Sequence, residues 1–360
     1  MRVLVTGGAG LIGFHAAKRY AMEGHKVTVF DNLERQALLG HPTDDRRALF
    51  NIRALRALPS EHRIEWYEGD VSSVTDWTGL LEVSYGQGFD LILHYAAQCG
   101  VPTSIARPRR DFEINVLGTF NALEHARQFG STVCYASTNK VYPLHDGTGD
   151  GQIWLRETHE PRWRWKDESV NLFGWPERMV DGAARTPYGQ SKYTGDLLCQ
   201  EYYHTYGVKT GIFRMSCIYG PNQFGFEEQG WATWFAIAAL KGYPITLYGD
   251  GKQVRDMLFV EDCVDAYHRF AASELRHGVW NLGGGTSNTM SLLECLGMLP
   301  ELTGCELPPI TYQDWRPLDQ KVYITDIRKV MHDLDWEPKT NIFDGYRKTC
   351  NWAQDHREIF

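Results

Sequence analysis

Short apolar runs alternate with amphipathic stretches through the first part of the chain. Val3-Leu4-Val5 leads directly into Thr6-Gly7-Gly8-Ala9-Gly10-Leu11-Ile12-Gly13, and helical periodicity then covers residues 11–23 and stops at Gly24. Further strands are predicted at Lys26-Val27-Thr28-Val29-Phe30, at residues 64–71, at Leu91-Ile92-Leu93-His94-Tyr95-Ala96-Ala97 and at residues 132–136. Helical patterns span 48–58, inside a polar connection at 32–62, and 111–128, closed by Gly130. Strands alternating with helices at this spacing predict an α/β fold with a parallel, doubly wound sheet. Ligands of such sheets gather at the carboxyl ends of the strands, where Asp31, Asp70, Ala96, Ala97 and Ser137-Thr138 fall.

The periodicity disappears over residues 143–185, a stretch rich in Trp, Arg, Gly and Glu. Thr186-Pro187 then reads as the N-cap and first residue of a helix that runs to Tyr206 and stops at Gly207. Strands at 209–214 and 279–282, a Trp- and Ala-rich helix at 230–241, and the capping-box run Ser291-Leu292-Leu293-Glu294 follow. The expected division is a dinucleotide-binding domain at 1–215, rejoined by 254–282, with 216–253 and 283–360 forming a smaller α+β substrate domain.

The glycine run has the context that a dinucleotide site needs: a strand before it, a helix after it, and an acid about twenty residues on. Gly7 and Gly10 allow backbone N–H groups to approach a pyrophosphate, and Gly13 lets the helix pack close to the sheet. The helix N-terminus adds partial positive charge there. Asp31 would accept hydrogen bonds from the adenosine ribose and repel a 2′-phosphate, so the cofactor is expected to be NAD rather than NADP.

Composition narrows the class. A net charge of −8 argues against nucleic acid as the partner. The 8 cysteines form no CxxC or CxH pair, so neither a metal site nor a disulfide framework is expected. No apolar run has membrane-spanning length, and with the first strand beginning at Arg2 no signal peptide is expected. A cytoplasmic enzyme is expected.

Tyr188 and Lys192 are four apart on one predicted helix and share a face. An ammonium beside a phenol is expected to lower its pKa from about 10, and reaching neutrality takes roughly 4 kcal/mol. Such a phenol can take a proton from a sugar hydroxyl. A second Tyr-x-x-x-Lys, Tyr248 and Lys252, spans a Gly-Asp-Gly turn, so its side chains need not meet.

From Thr6-Gly7-Gly8 to Asp326-Ile327-Arg328-Lys329, nearly the whole chain resembles the extended short-chain dehydrogenase/reductases that modify nucleotide sugars. Asp111-Phe112-Glu113-Ile114-Asn115, Ser137-Thr138-Asn139-Lys140-Val141-Tyr142, Glu228-Gln229-Gly230-Trp231 and Gly251-Lys252-Gln253-Val254-Arg255-Asp256 look most like the branch of CDP-paratose (CDP-tyvelose) 2-epimerases. The resemblance implies Thr138, Tyr188 and Lys192 as the catalytic set. It implies NAD contacts from Gly7, Gly10, Leu11, Ile12, Gly13, Asp31, Asn32, Asp70, Val71, Ala96, Ala97, Gln98, Asn115, Ala136, Ser137, Tyr188 and Lys192. Substrate contacts are implied for Thr138, Asn139, Gln229, Tyr248, Arg255, Arg316 and Asp319, the arginines suiting a diphosphate. The related 4,6-dehydratases carry Asp-Glu directly after the catalytic Thr; here Asn139 and Lys140 stand there, which favours oxidation and re-reduction of one carbon over loss of water.

The implied substrate is a nucleotide-diphosphate sugar, CDP-linked before UDP-linked, and the implied assembly is a homodimer. The alternatives are a UDP-sugar 4-epimerase or uronate epimerase/decarboxylase, then a 4,6-dehydratase or a non-catalytic NAD-binding regulator. Cys217 stands where many relatives carry Asn and the branch Ser. The 143–185 segment, with Arg156, Arg162 and Arg164, is longer than the branch requires; it forms either a lid or wall of the sugar pocket, or a surface excursion.

Overall fold

The computed structural model describes all residues except 36–45, 63, 144–154, 157–160, 166–173, 175–176, 178–184 and 317–318. A seven-stranded sheet forms from β1 (Arg2–Thr6), β2 (Lys26–Asp31), β3 (Ile64–Glu68), β4 (Leu91–His94), β5 (Thr132–Thr138), β6 (Thr210–Met215) and β7 (His277–Leu282), in the order β7-β6-β5-β4-β1-β2-β3. β1 pairs in parallel with both β2 and β4, setting Val5 opposite Val29 and Leu93. The strand order therefore reverses between β1 and β4, where an open α/β sheet leaves a crevice for a ligand. Val3, Leu4, Val5, Ile92, Leu93 and Val133 are all fully buried. Such near-continuous apolar strands are what a parallel sheet covered on both faces requires.

Two expected boundaries move. β4 stops at His94 rather than Ala97, because the Ala96 N–H leaves the ladder and donates to the Thr6 hydroxyl at 3.2 Å. The helix expected at 111–128 is broken into Pro108–Phe112, a π-helical turn at Glu113–Leu117, and Gly118–Phe129. The widened turn carries Asn115, which is fully buried.

By compactness the chain forms two units. The first comprises Met1–Thr138, Pro187–Arg214 and Val264–Trp280; the second comprises Asn139–Thr186, Met215–Cys263 and Asn281–Phe360. Residues 139–186 and 254–263 thus fall in the second unit, not the first as the sequence suggested. The strand Val254–Phe259 goes there because its partners do: it pairs with Cys217–Tyr219, Thr289–Ser291 and Val322–Tyr323. Each unit has its own core. Phe30, Trp77, Ile92 and Tyr135 lie in the first; Phe235, Leu247, Leu296 and Tyr346 lie in the second.

The capping box at Ser291 is present, with Ser291 and Glu294 each bonding the other's backbone N–H. Most of 143–185 lies outside the described residues. Its described part includes the short antiparallel pair Leu155–Arg156 and Arg164–Trp165. Arg162 grips both carboxylate oxygens of Glu294 at 2.8 and 2.7 Å, and the Trp163 indole donates to Asp250 at 3.0 Å. Residues 162 and 163 are thereby fastened to the first turn of the helix Leu292–Thr303 and to the turn at Asp250, both within the second unit.

Candidate functional site

At the glycine turn, Gly7 has φ +69° and its N–H donates to the Phe30 carbonyl at 2.8 Å. A Cβ on Gly7 would meet Ala96 N at 2.7 Å, and one on Gly13 would meet Gly8 Cα at 2.7 Å as well as the Gly7 carbonyl oxygen. Both are backbone neighbours with no room to yield, so the three chain segments converge only without side chains. Gly10 caps the helix Leu11–Met22 without any side-chain hydrogen bond, and no acid lies in its first turn. Leu11 and Ile12 open that turn half-buried. Amide groups and helix dipole are thus left for an anion, which is the donor set a dinucleotide's diphosphate takes.

Asp31 ends β2, and its two carboxylate oxygens accept from Ala9 N at 2.9 Å and Leu33 N at 2.8 Å. Burial pushes its pKa up, while those two N–H groups and Arg35 pull it down. The carboxylate thus joins the glycine turn to the loop after β2. Asn51, absent from the sequence-predicted set, closes the turn from the other side by donating to the Ala9 carbonyl at 2.9 Å. Asn32 donates to Asp70 at 3.2 Å. The Val71 carbonyl accepts from the Trp77 indole and from Asn121, so Val71 is fixed within the core.

Past β4, Gln98 folds its side chain onto Gly100 and Asp111, and its N–H donates to Asn115 Oδ1 at 2.9 Å. Asn115 Nδ2 reaches Gln98 O, Asp111 Oδ1 and Ser191 Oγ between 3.0 and 3.2 Å. Asn115, expected from the resemblance to contact the cofactor, here braces the loop after β4 against the helix Pro187–Tyr206. Asp111 and Ser191 complete that brace and were not anticipated as site residues.

Thr138 ends β5, and its hydroxyl hydrogen-bonds Tyr188 in the first turn of that helix. Lys192, one turn on, is buried, with Nζ 4.2 Å from the centre of the Tyr135 ring. Its pKa is lowered to about 8 by burial, against the pull of Cys199, Cys99, Asp111 and Asp196. The Tyr188 phenol is pushed up, not down: burial is the main cause, Cys99 and Asp111 add to it, and Thr138 opposes it. This corrects the expectation of a depressed phenol. Burial costs the charged form of each group, and the Lys192 ammonium lies over the Tyr135 ring. Ser137 donates to Asp196 at 2.9 Å, and Ala136 is buried beside it in the strand.

In the second unit, Arg255 and Asp319 meet, Nη2 to Oδ1 at 3.0 Å, and Lys140 Nζ lies 3.8 Å from the same oxygen. Burial is the main reason the Lys140 pKa falls to about 8; Arg255 also lowers it, while Asp319 and Cys217 oppose the fall. Asn139 donates to Gln320 at 3.3 Å. Arg316 stacks 4.0 Å over the Tyr248 ring, and the Tyr248 hydroxyl donates to Glu227 at 2.6 Å. Tyr248 is thus engaged by Arg316 and Glu227, while Lys252 follows the intervening turn. Gln229 pairs its backbone with Phe226 in a tight loop before the helix Trp231–Lys241.

A sequence profile of the NAD dependent epimerase/dehydratase family matches residues 3–283. The CDP-paratose 2-epimerase of Salmonella typhi is 35% identical over 98% of this chain and 99% of its own length. The dTDP-glucose 4,6-dehydratase of Salmonella typhimurium is 29% identical over 98% and 92%. Among solved structures, the UDP-glucose 4-epimerase of Thermus thermophilus in complex with NAD is similar at 28% identity and a TM-score of 0.76, covering 99% of this chain and 100% of that one.

Proposed function

This chain belongs to the NAD dependent epimerase/dehydratase family, and from that premise we propose that it inverts one carbon of a CDP-linked sugar, most similarly to a 2-epimerase. NAD is its cofactor, and a nucleotide sugar is its class of substrate. The observation that carries the finer reading is the composition just after β5. Thr138, bonded to Tyr188, is followed by Asn139 and Lys140, an amide and a cation. Removing water from a sugar needs an acid for the leaving hydroxyl and a base for the neighbouring C–H. Epimerisation through a transient ketone needs only one group that exchanges the hydroxyl proton.

A bound NAD supplies reversible two-electron acceptance, which turns a carbinol carbon into a carbonyl and back with no net redox. Gly7, Gly10 and Gly13 would admit its diphosphate, and Asp31 its adenosine ribose. Tyr188, as a phenolate that the positive charge of a bound nicotinamide would favour against the burial that keeps it neutral, would take the proton from the reacting hydroxyl and return it, with Thr138 holding that oxygen in line. Lys192 supplies positive charge behind the phenol. Arg255 and Arg316 keep the diphosphate fixed while the sugar turns its other face.

The end-to-end 35% identity to a CDP-sugar enzyme supports cytidine over uridine. Eight free cysteines agree with a reducing cytoplasm, and no helix among the described residues is long and apolar enough to cross a membrane. Exposed Phe112, Leu117, Phe120 and Leu197, on neighbouring helices, support a homodimer. The test is NMR of products from CDP-, UDP- and dTDP-sugars offered side by side. Inversion at C2 of a CDP-sugar is the expected result; inversion at C4 of a UDP-sugar, or a dehydrated product, would replace this reading.

A further inference from the structure

The carboxyl ends of β2 and β3 are followed by a charged cluster whose cation comes from a distant part of the chain. Arg110, in the helix Pro108–Phe112, donates from Nε to Glu34 Oε1 at 2.8 Å. Its Nη2 bonds both Glu34 Oε2 and Asp70 Oδ2. Its Nη1 donates to Ser72 Oγ at 3.1 Å and lies 3.7 Å from Glu113. Asn32 Nδ2 spans the same two carboxylates, at 3.1 Å to Glu34 and 3.2 Å to Asp70. Ser72 adds donors to the other oxygen of Asp70 at 2.7 and 2.8 Å. The three charged side chains remain about a quarter exposed, so a ligand can reach them.

Glu34 follows Asp31 within one folded loop. Leu33 N donates to Asp31 and Glu34 N donates to Asn32, at 2.8 and 3.0 Å. Asp31, Glu34 and Asp70 therefore surround the loop with three carboxylates, against the guanidinium of Arg110 and that of Arg35, which pulls on Asp31. An arginine near the adenosine ribose is the usual way to accept a 2′-phosphate. Here Arg110, which reaches the loop after β2, is already committed to carboxylates on two sides. Hydrogen bonds from Ser72 and Arg110 hold the Asp70 pKa below the ordinary carboxylate range despite partial burial, so its charge is kept.

We propose that Glu34 and Arg110 form a second device for selecting NAD over NADP: Arg110 positions Asp70 and Glu34, and Glu34 keeps Arg110 from binding a 2′-phosphate. The proposal rests on the glycine turn holding NAD and adds residues that neither the motif nor the resemblance singled out.

The test compares wild type, Glu34→Gln and Arg110→Met after incubation with equal excess NAD and NADP. The proteins are desalted, and the released dinucleotides are quantified by chromatography, with thermal melting in parallel. Glu34→Gln nearly preserves shape but frees Arg110, and should move the retained NADP-to-NAD ratio about tenfold toward NADP, the size expected for one charge-assisted contact. Arg110→Met should retain about tenfold less NAD with no gain of NADP, and Arg110→Lys should recover part of the loss. A purely structural ion pair would lower melting temperature in both variants without changing the ratio. If Arg110→Met does not fold, the Glu34→Gln ratio alone decides, and a wild-type ratio overturns the proposal.

Discussion

Lys192 rests its ammonium on the face of Tyr135, 4.2 Å from the ring centre, while the Tyr135 hydroxyl donates to the Lys192 carbonyl at 3.1 Å. One aromatic residue of β5 therefore holds both ends of the lysine. It also explains the absence of a Cβ at Gly195, which would collide with the Tyr135 hydroxyl. Because the Lys192 pKa in the folded chain is about 8, below its ordinary value, the native state binds fewer protons than the unfolded state between these values. Its contribution to stability thus rises with pH over that window and is least favourable below about pH 8. Lys192→Met should melt higher relative to wild type at pH 7 than at pH 10, and a pH-independent gap would contradict this origin of the shift. The pH-dependent difference is the quantity to compare, because the substitution also removes the cation–aromatic contact.

Tyr188→Phe keeps the ring and removes the proton carrier. Turnover should fall by about 10²–10⁴, the usual range for general acid–base catalysis, while the protein retains wild-type NAD. Loss of NAD together with activity would instead make the hydroxyl a cofactor anchor.

Gly13→Ala introduces a Cβ against the backbone of Gly7 and Gly8. Overpacking of this kind costs about 1–3 kcal/mol, and here it also displaces the turn that would face the diphosphate. Thermal melting should drop by several degrees and the purified protein should carry little NAD. Gly24→Ala, where a Cβ meets nothing within 4 Å, is the control for a φ of +82°. It should lose stability but not NAD.

Arg214 and Asp196 are buried together, Nε to Oδ2 at 2.8 Å, and Asp196 also accepts from Ser137 and Gln200. Arg214→Met would leave a buried carboxylate without its cation, which typically costs about 3–5 kcal/mol. Denaturant unfolding should register that loss. Replacing both, as Arg214→Met with Asp196→Leu, should recover part of it, since the lone charge is then gone.

The glycine turn was legible because short-range geometry dictates it, a strand, a turn that rejects Cβ atoms and a helix, and so was the placing of Tyr188 and Lys192 one turn apart on a single helix. The direction of the Tyr188 shift was not legible. It depends on burial beside Cys99 and Asp111, residues far away in sequence. Nor was the brace around Asn115 legible, because its partners Gln98, Asp111 and Ser191 come from three separate segments that meet at the π-helical turn. Arg110 and Glu34 are 76 residues apart, and no local pattern marks their pairing. The second unit's boundary was misjudged at 254–263 for a similar reason: strand Val254–Phe259 looks like a return to the large sheet until its three partners are known.

The central claim is that one sugar carbon is oxidised and then reduced by the same resident NAD, with Tyr188 handling only the hydroxyl proton. Product formed from a CDP-sugar in deuterium oxide, analysed by NMR and mass spectrometry, tests it most directly. The account predicts a product inverted at one carbon that still bears its original hydrogen, with no deuterium left once its hydroxyl groups are exchanged back into water. Deuterium on that carbon, or a product that has lost water, would contradict it.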